Sequence, residues 1–171
     1  MTDDQILNTI LKNTYTKSSF FKRMNILRRY LEHYFFKEKI PLEKFLANLN
    51  LPPQDKEALL SWNKDLYSSF TLYTLYKQLD HISKAIKTIP NITLYIPIDT
   101  TPEDREKLGS WVKENISIRS LLDLRHDPKR IGGAAVVYNN IYRDFSLHHF
   151  MTKNKNEIMG ILDDYQIKTA P

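Results

Sequence analysis

The stretch RIGGAAVVYNNIYRDFS, residues 130–146, holds two of the four glycines of the chain, side by side. A glycine pair beside an apolar run is raw material for a phosphate cradle. A P-loop needs Lys-Ser/Thr after its glycines, and a dinucleotide loop needs Gly-x-Gly-x-x-Gly opening a helix. Neither pattern is present, and Gly132 and Gly133 lead into AAVVY, which reads as a strand. Glycines at that place mark a bulge or a close backbone approach. Histidine offers a second chemistry. The adjacent pair His148 and His149 would point about 100° apart on a helix, whereas two ligands on one face stand four residues apart. Asp144 and His148 have that spacing, but Asp144 falls at or before the helix start. Asp144 and Ser146 are therefore read as caps that accept bonds from free N–H groups of the last helix. No serine stands in a glycine-flanked elbow with a base and an acid. The carboxylates of PEDREKL (102–108) lie where a helix N-terminus favours acid, and they receive no chemical role. The expectation is a non-enzyme with no cofactor and no metal.

The elements that carry these residues divide the chain. Residues 1–90 hold 14 Lys and Arg against 9 Asp and Glu, and residues 91–171 hold 11 against 11. The whole surplus of positive charge thus lies in the first half. It is read as a solvated helical surface, with an acidic partner, nucleic acid or anionic lipid as alternatives. Cysteine is absent, which removes disulfides, thiolate metal sites and cysteine nucleophiles together. No apolar run approaches the roughly 20 residues of a membrane span. The opening MTDDQILNTILKN is unlike a secretory or transit signal. A soluble intracellular protein is expected.

Glycine is missing before residue 109, and helical spacing dominates to about residue 89. Five helices are expected there. One carries Ile6, Leu7, Ile10 and Leu11, and a longer one carries Phe20, Met24, Leu27, Leu31 and Phe35. A third lies between Pro41 and Pro52, and a fourth runs through PQDKEALLSWNKDL. The fifth stripe is Leu72, Leu75, Leu79, Ile82, Ile86 and Ile89. Such stripes with short connections make a bundle. The aromatics of FFKRMNILRRYLEHYFFK follow its apolar stripe, so the segment is read as core before nucleic-acid platform. From 91 the pattern becomes β-α-β-β-β-α. ITLYIPI (92–98) alternates as a strand, Thr101-Pro102 starts an acidic helix, and ISIRSLLDLR (116–125) alternates again. Two strands then meet at Asn139-Asn140, a pair that tolerates a hairpin turn. The tail is amphipathic through Leu147, Met151, Ile158, Ile161, Leu162 and Tyr165. The expected fold is α+β: a helical bundle over 1–90, then a small α/β domain over 91–171.

With the order of elements in place, DPKRIGGAAVVYNNIYRDFS resembles the signature of the delta subunit of F-type ATP synthase, the oligomycin sensitivity-conferring protein family. That family runs Asp-Pro-x-Leu-Ile-Gly-Gly, a hydrophobic strand, a turn and Asp-x-Ser before its last helix. Asp127, Pro128, Ile131, Gly132, Gly133, Asp144 and Ser146 stand in that order at similar spacing. The likeness covers about residues 92–162. The chain departs from the family at Phe145, where glycine is usual, and at His148 and His149, where arginine and glycine are common. The family's first half is a bundle of six helices with a tyrosine- and alanine-rich opening, which this chain lacks. The E subunit of vacuolar and archaeal ATPases also has a glycine pair before a strand, but its long coiled N-terminal helix has no counterpart here.

The resemblance implies a stator subunit without an active site, peripheral to the cytoplasmic face of a bacterial plasma membrane. Its bundle would grip N-terminal segments of the alpha subunits, and its second half the end of the b subunits. Helix-in-groove binding would then use Ile6 and Ile10 on the first helix and Leu75, Leu79 and Ile82 on the fifth. Leu147 and Met151 are the candidate contacts on the last helix. The alternative reading is a basic helical nucleic-acid-binding module with an accessory α/β domain, and a small enzyme on the same scaffold is a third.

Overall fold

A computed structural model describes the backbone of residues 1–169 and the side chains of residues 1–162. The fold is α+β, with helices first and a four-stranded mixed sheet after them. The chain forms two compact units, Met1–Asn91 with Pro102–Asp123, and Ile92–Thr101 with Leu124–Pro171.

In the first unit, α1 (Asp3–Lys12) starts at Thr2, which forms a capping box with Gln5. Thr16 caps α2 (Lys17–Phe36) by accepting from the Ser19 N–H. The next helix, α3, is Leu42–Ala47, and α4 is Pro53–Ser61, opened by the double proline. Asn63 then accepts from Leu66 N–H and starts α5 (Lys64–Ser68). The segment 53–66 is therefore two helices rather than one, because the Asn63 cap outcompetes continuation of the turn. Including α6 (Leu75–Ala85), which a 3-10 turn (Ile86–Thr88) extends, the helical half has six α-helices among the described residues, not five. Leu72 lies in the turn before α6 and is exposed, so the stripe begins at Leu75. The stripes of α1, α2 and α6 close on one another around Ile6, Ile10, Phe20, Leu27, Leu31, Leu59, Leu66, Leu75 and Ile82. Each such side chain stabilises the fold by roughly 1.5–3 kcal/mol through burial.

α7 (Pro102–Asn115) belongs to this first unit, whereas the sequence pattern groups it with residues 91–171. Gly109 explains how it fits. A Cβ there would overlap the Cβ of Tyr15 and stand 3.3 Å from the Tyr15 Cα. The helix can approach the α1–α2 connection only where it has no side chain.

β1 (Asn91–Ile96) follows the first stretch of helices, and β2 (Leu121–His126) follows α7. Residues 116–120 form a turn instead of strand, with Ile116 and Ile118 exposed. Ser120 closes that turn, its backbone N–H donating to Ser117 O at 3.0 Å and its hydroxyl at 2.6 Å. β3 (Ala135–Tyr138) and β4 (Ile141–Asp144) complete a sheet of order β2-β1-β3-β4. β3 is antiparallel to both β1 and β4, with Thr93 opposite Val137 and Tyr138 opposite Ile141. Asn139 and Asn140 take φ of 49° and 62°, the two positive angles of a two-residue type I′ hairpin. The last segment is two helices, α8 (Leu147–Lys153) and α9 (Lys155–Thr169), separated at Asn154. The Tyr165 side chain of the expected tail stripe lies outside the described residues. Among the described residues no helix is long and apolar enough to cross a membrane.

Replacing Gly109 by alanine forces α7 away from Tyr15. We expect a loss of about 1–3 kcal/mol in urea unfolding of the full chain, with far-ultraviolet dichroism unchanged.

Candidate functional site

The signature residues converge on one small polar cluster at the start of α8. Asp127, Pro128, Lys129 and Arg130 form a turn, in which Arg130 N–H donates to the Asp127 carbonyl at 3.1 Å. Pro128 occupies the position of that turn where its fixed φ costs nothing. The turn delivers the Arg130 side chain, one-tenth exposed, between two aspartates. Its Nη1 donates to Asp144 Oδ1 at 2.8 Å, and its Nη2 lies 3.3 Å from Asp127 Oδ2. Nη2 also donates to Tyr142 Oη at 3.2 Å, and that hydroxyl donates to Asp144 Oδ2 at 3.1 Å. Asp144 accepts in addition from the backbone N–H of Ser146 at 2.8 Å. The bonds from Ser146, with those from Arg130 and Tyr142, hold the Asp144 carboxyl far below the usual carboxylate range.

Ser146 is the true cap: its hydroxyl accepts from His149 N–H at 3.2 Å. Asp144 accepts from Ser146 itself and not from a helical N–H, so its role differs from the one its position suggests. The glycines complete the cluster from the other strand. Gly132 and Gly133 have φ of 62° and 69°, and they precede β3 instead of lying in it. A Cβ on Gly133 would collide with the Phe145 carbonyl oxygen and lie 3.0 Å from Ser146 Cα. Phe145 N–H then donates to Ala134 O at 2.8 Å, which prolongs the β3–β4 ladder into the helix start. Ile131, by contrast, is exposed.

Both carboxylates of the cluster have partners, while Arg130 Nε is buried without one. The only local sign of Arg130's role in the sequence is Asp127, three residues before it; Asp144 and Tyr142 lie 14 and 12 residues away. His148 and His149 lie on the exposed surface of α8. Among the described residues no group of three or more His, Asp or Glu gathers as a metal would require.

The expected groove residues of the first unit are placed differently. Ile6, Ile10, Leu75 and Ile82 have no accessible surface, and Leu79 is buried too. Ile6, Ile10, Leu75 and Ile82 fill the core, so a partner cannot reach them while the bundle is packed, which corrects their assignment as groove walls; Leu79 does line a groove. That groove lies between α2 and α6, about 440 Å³, against Phe21, Arg28, Tyr76 and Leu79. Leu147 and Met151 are half-exposed, as a contact on α8 requires.

A second polar cluster lies inside the first unit. Arg23, 3% exposed, stands on the buried side of α2 and donates Nε to Asp55 Oδ1 at 2.9 Å. Asp55 also holds Lys22 Nζ at 2.7 Å. Arg23 further donates to the Asn13 carbonyl, and its Nη2 lies 3.7 Å from Glu106 Oε1 on α7. Burial raises the Glu106 carboxyl, and Arg23 opposes the rise. Lys113, also on α7, donates to the Leu11 carbonyl and sits 5.0 Å over the Tyr15 ring. Burial, helped by the nearby Arg23 charge, brings Lys113 down to about 8. A cavity of about 280 Å³ opens beside the Arg23–Asp55 pair, toward Thr16 and Glu106. Its acids and bases are spent on one another, which makes the cluster a clamp of α2, α4 and α7.

No protein-family model matches this chain, and no curated protein matches it.

Two outcomes follow from these clusters. Gly133→Ala meets both an unfavourable φ and the Phe145 carbonyl, and it lowers the melting temperature of the full chain in calorimetry. Lys113 releases its proton near pH 8 in the fold and near 10.4 in the unfolded chain. Between those values the unfolded chain binds more protons, so stability rises with pH, by on the order of 1–3 kcal/mol. Below that window both forms are protonated and the term is flat. Urea unfolding from pH 7 to 10.5 reads the rise, and Lys113→Met removes it.

Proposed function

We propose that this chain is a non-catalytic, delta-type stator subunit of a rotary F-type ATP synthase. In this reading it links the alpha/beta head to the peripheral b-subunit stalk, so that proton-driven rotation is used for ATP synthesis. It acts peripherally at the cytoplasmic face of a bacterial plasma membrane and holds no cofactor. The observation that carries the reading is the behaviour of the signature residues. Asp127, Gly133, Asp144 and Ser146 are spent on building one rigid strand-to-helix junction, and the helices beyond it leave their apolar residues uncovered. Phe145, Leu147, Phe150, Met151, Met159, Ile161 and Leu162 are all exposed, and α8 buries no residue. An apolar face of this extent is characteristic of a subunit that docks. Stator work needs such a face and no catalytic constellation.

The nucleic-acid alternative draws less support. Lys22 is paired with Asp55, and Arg28 pairs with Glu32 at 2.9 Å while lying over Tyr76. The basic surplus of α2 is thus partly neutralised before any phosphate arrives.

Affinity purification of the tagged full chain from its source cell tests the proposal. Alpha and b subunits should be recovered together. Leu147→Asp with Met151→Asp should lose b while retaining alpha. Recovery of neither subunit by the unaltered chain contradicts the proposal.

A further inference from the structure

β4 is the last strand of the described sheet, and its outer edge carries no other strand. The register fixes which backbone groups face outward. In a two-residue hairpin the closing pair, Tyr138 and Ile141, exchanges hydrogen bonds, and bonded and non-bonded pairs then alternate. Arg143 opposite Val136 is the next bonded pair, and the Phe145 N–H to Ala134 O bond continues the phase. Tyr142 and Asp144 therefore turn their backbone N–H and C=O groups away from β3, toward the free edge. Native sheets protect such edges with charge, proline, bulges or a covering helix. This one presents Ile141, Tyr142 and Phe145, each more than half exposed.

The edge is one wall of a groove of about 680 Å³, and α8 is the other. Tyr142 and Phe145 line its strand side and Phe150 its helix side, and Arg143, His149 and Lys153 line it as well. The single carboxylate at the groove, Asp144, is already held by Arg130, Tyr142 and Ser146. The charge left for a ligand is positive.

We infer that the groove between β4 and α8 takes an extended peptide segment of alternating acidic and apolar residues, which adds to the sheet as a fifth strand. Outward N–H and C=O groups of Tyr142 and Asp144 give it main-chain bonds, as in strand addition generally. Side chains alternate along β4, so an apolar residue of the added strand opposite Tyr142 rests on that ring, and a carboxylate opposite Arg143, on the other face, meets the guanidinium. The inference stands beside the stator reading and does not rest on it: Leu147 and Met151, which serve that reading, do not line the groove.

Fluorescence anisotropy of the full chain with labelled synthetic peptides tests it. The probes are a short peptide of alternating valine and glutamate, its valine–lysine counterpart, and the acidic peptide with alternate amides N-methylated in either phase. The acidic peptide should bind saturably. The lysine peptide, and the N-methylated peptide in one of its two phases, should each bind at least about tenfold more weakly. Arg143→Glu with Lys153→Glu, at an unchanged melting temperature, should reverse the charge preference. The inference is overturned by absence of saturable binding to the acidic peptide, by equal binding of both charges, or by indifference to N-methylation in both phases. A dimer in sedimentation that Tyr142→Pro dissolves also overturns it, since a second copy would then own the edge. Peptide binding without recovery of alpha and b sinks the stator reading alone, and the reverse result sinks only this inference.

Discussion

Gly133 lies so close to the Phe145 carbonyl that only a residue without a Cβ fits. The second unit is arranged around that contact. It brings the chain entering β3 onto the chain leaving β4, with the Asn139-Asn140 turn holding the strands in register at the other end. Ser146 is thereby set at the start of α8 with its hydroxyl aimed at the helix. Arg130 reaches across to Asp144 because the Asp127–Arg130 turn and the glycine pair together reverse the chain. A buried arginine between two aspartates would be costly if either bond were missing, and here both terminal nitrogens are engaged. Charge, cap and backbone approach depend on one another, so the junction behaves as a single part.

The first unit solves a different problem. Two of its helices are short, α3 and α5 spanning only six and five residues. Segments of that length are not stable alone. Packing of the stripes supplies the stability, and the Arg23–Asp55 clamp fixes how α2 and α4 meet. Gly109 and Lys113 then seat α7 against the α1–α2 connection. The consequence for binding is direct. The most regular apolar residues are consumed in the core, and any surface for a partner must come from residues outside the stripes.

That division explains what the sequence made legible. Repetition at three and four residues located α1, α2 and α6, because that pattern reflects burial on one face; alternation located β1, and the Asn139-Asn140 turn located the β3–β4 hairpin. The Asn63 cap leaves no mark in the sequence, because an internal asparagine in a long helical pattern looks like a solvent-facing residue. Ile116 and Ile118 imitated strand alternation while sitting in a turn, since periodicity over five residues does not separate the two. Arg23 stands three residues after Phe20 and four before Leu27, on the stripe, and only its buried partner Asp55 tells why. α7 reads as part of the second domain in sequence order, and the missing Cβ at Gly109, invisible to periodicity, joins it to the first unit. In the signature, Gly132, Gly133 and Ser146 carry local geometry and were readable. Arg130 and Tyr142 act through residues 12 to 14 positions away, and local patterns do not report that.

A stator linker must resist torque without chemistry of its own. Rigid junctions, a packed helical unit and an uncovered apolar helix face suit that work. The most direct measurement is proton-driven ATP synthesis by membrane vesicles from cells with and without this chain. The proposal predicts that its removal abolishes synthesis while the released head still hydrolyses ATP. Synthesis at an unchanged rate in vesicles lacking the chain would contradict it.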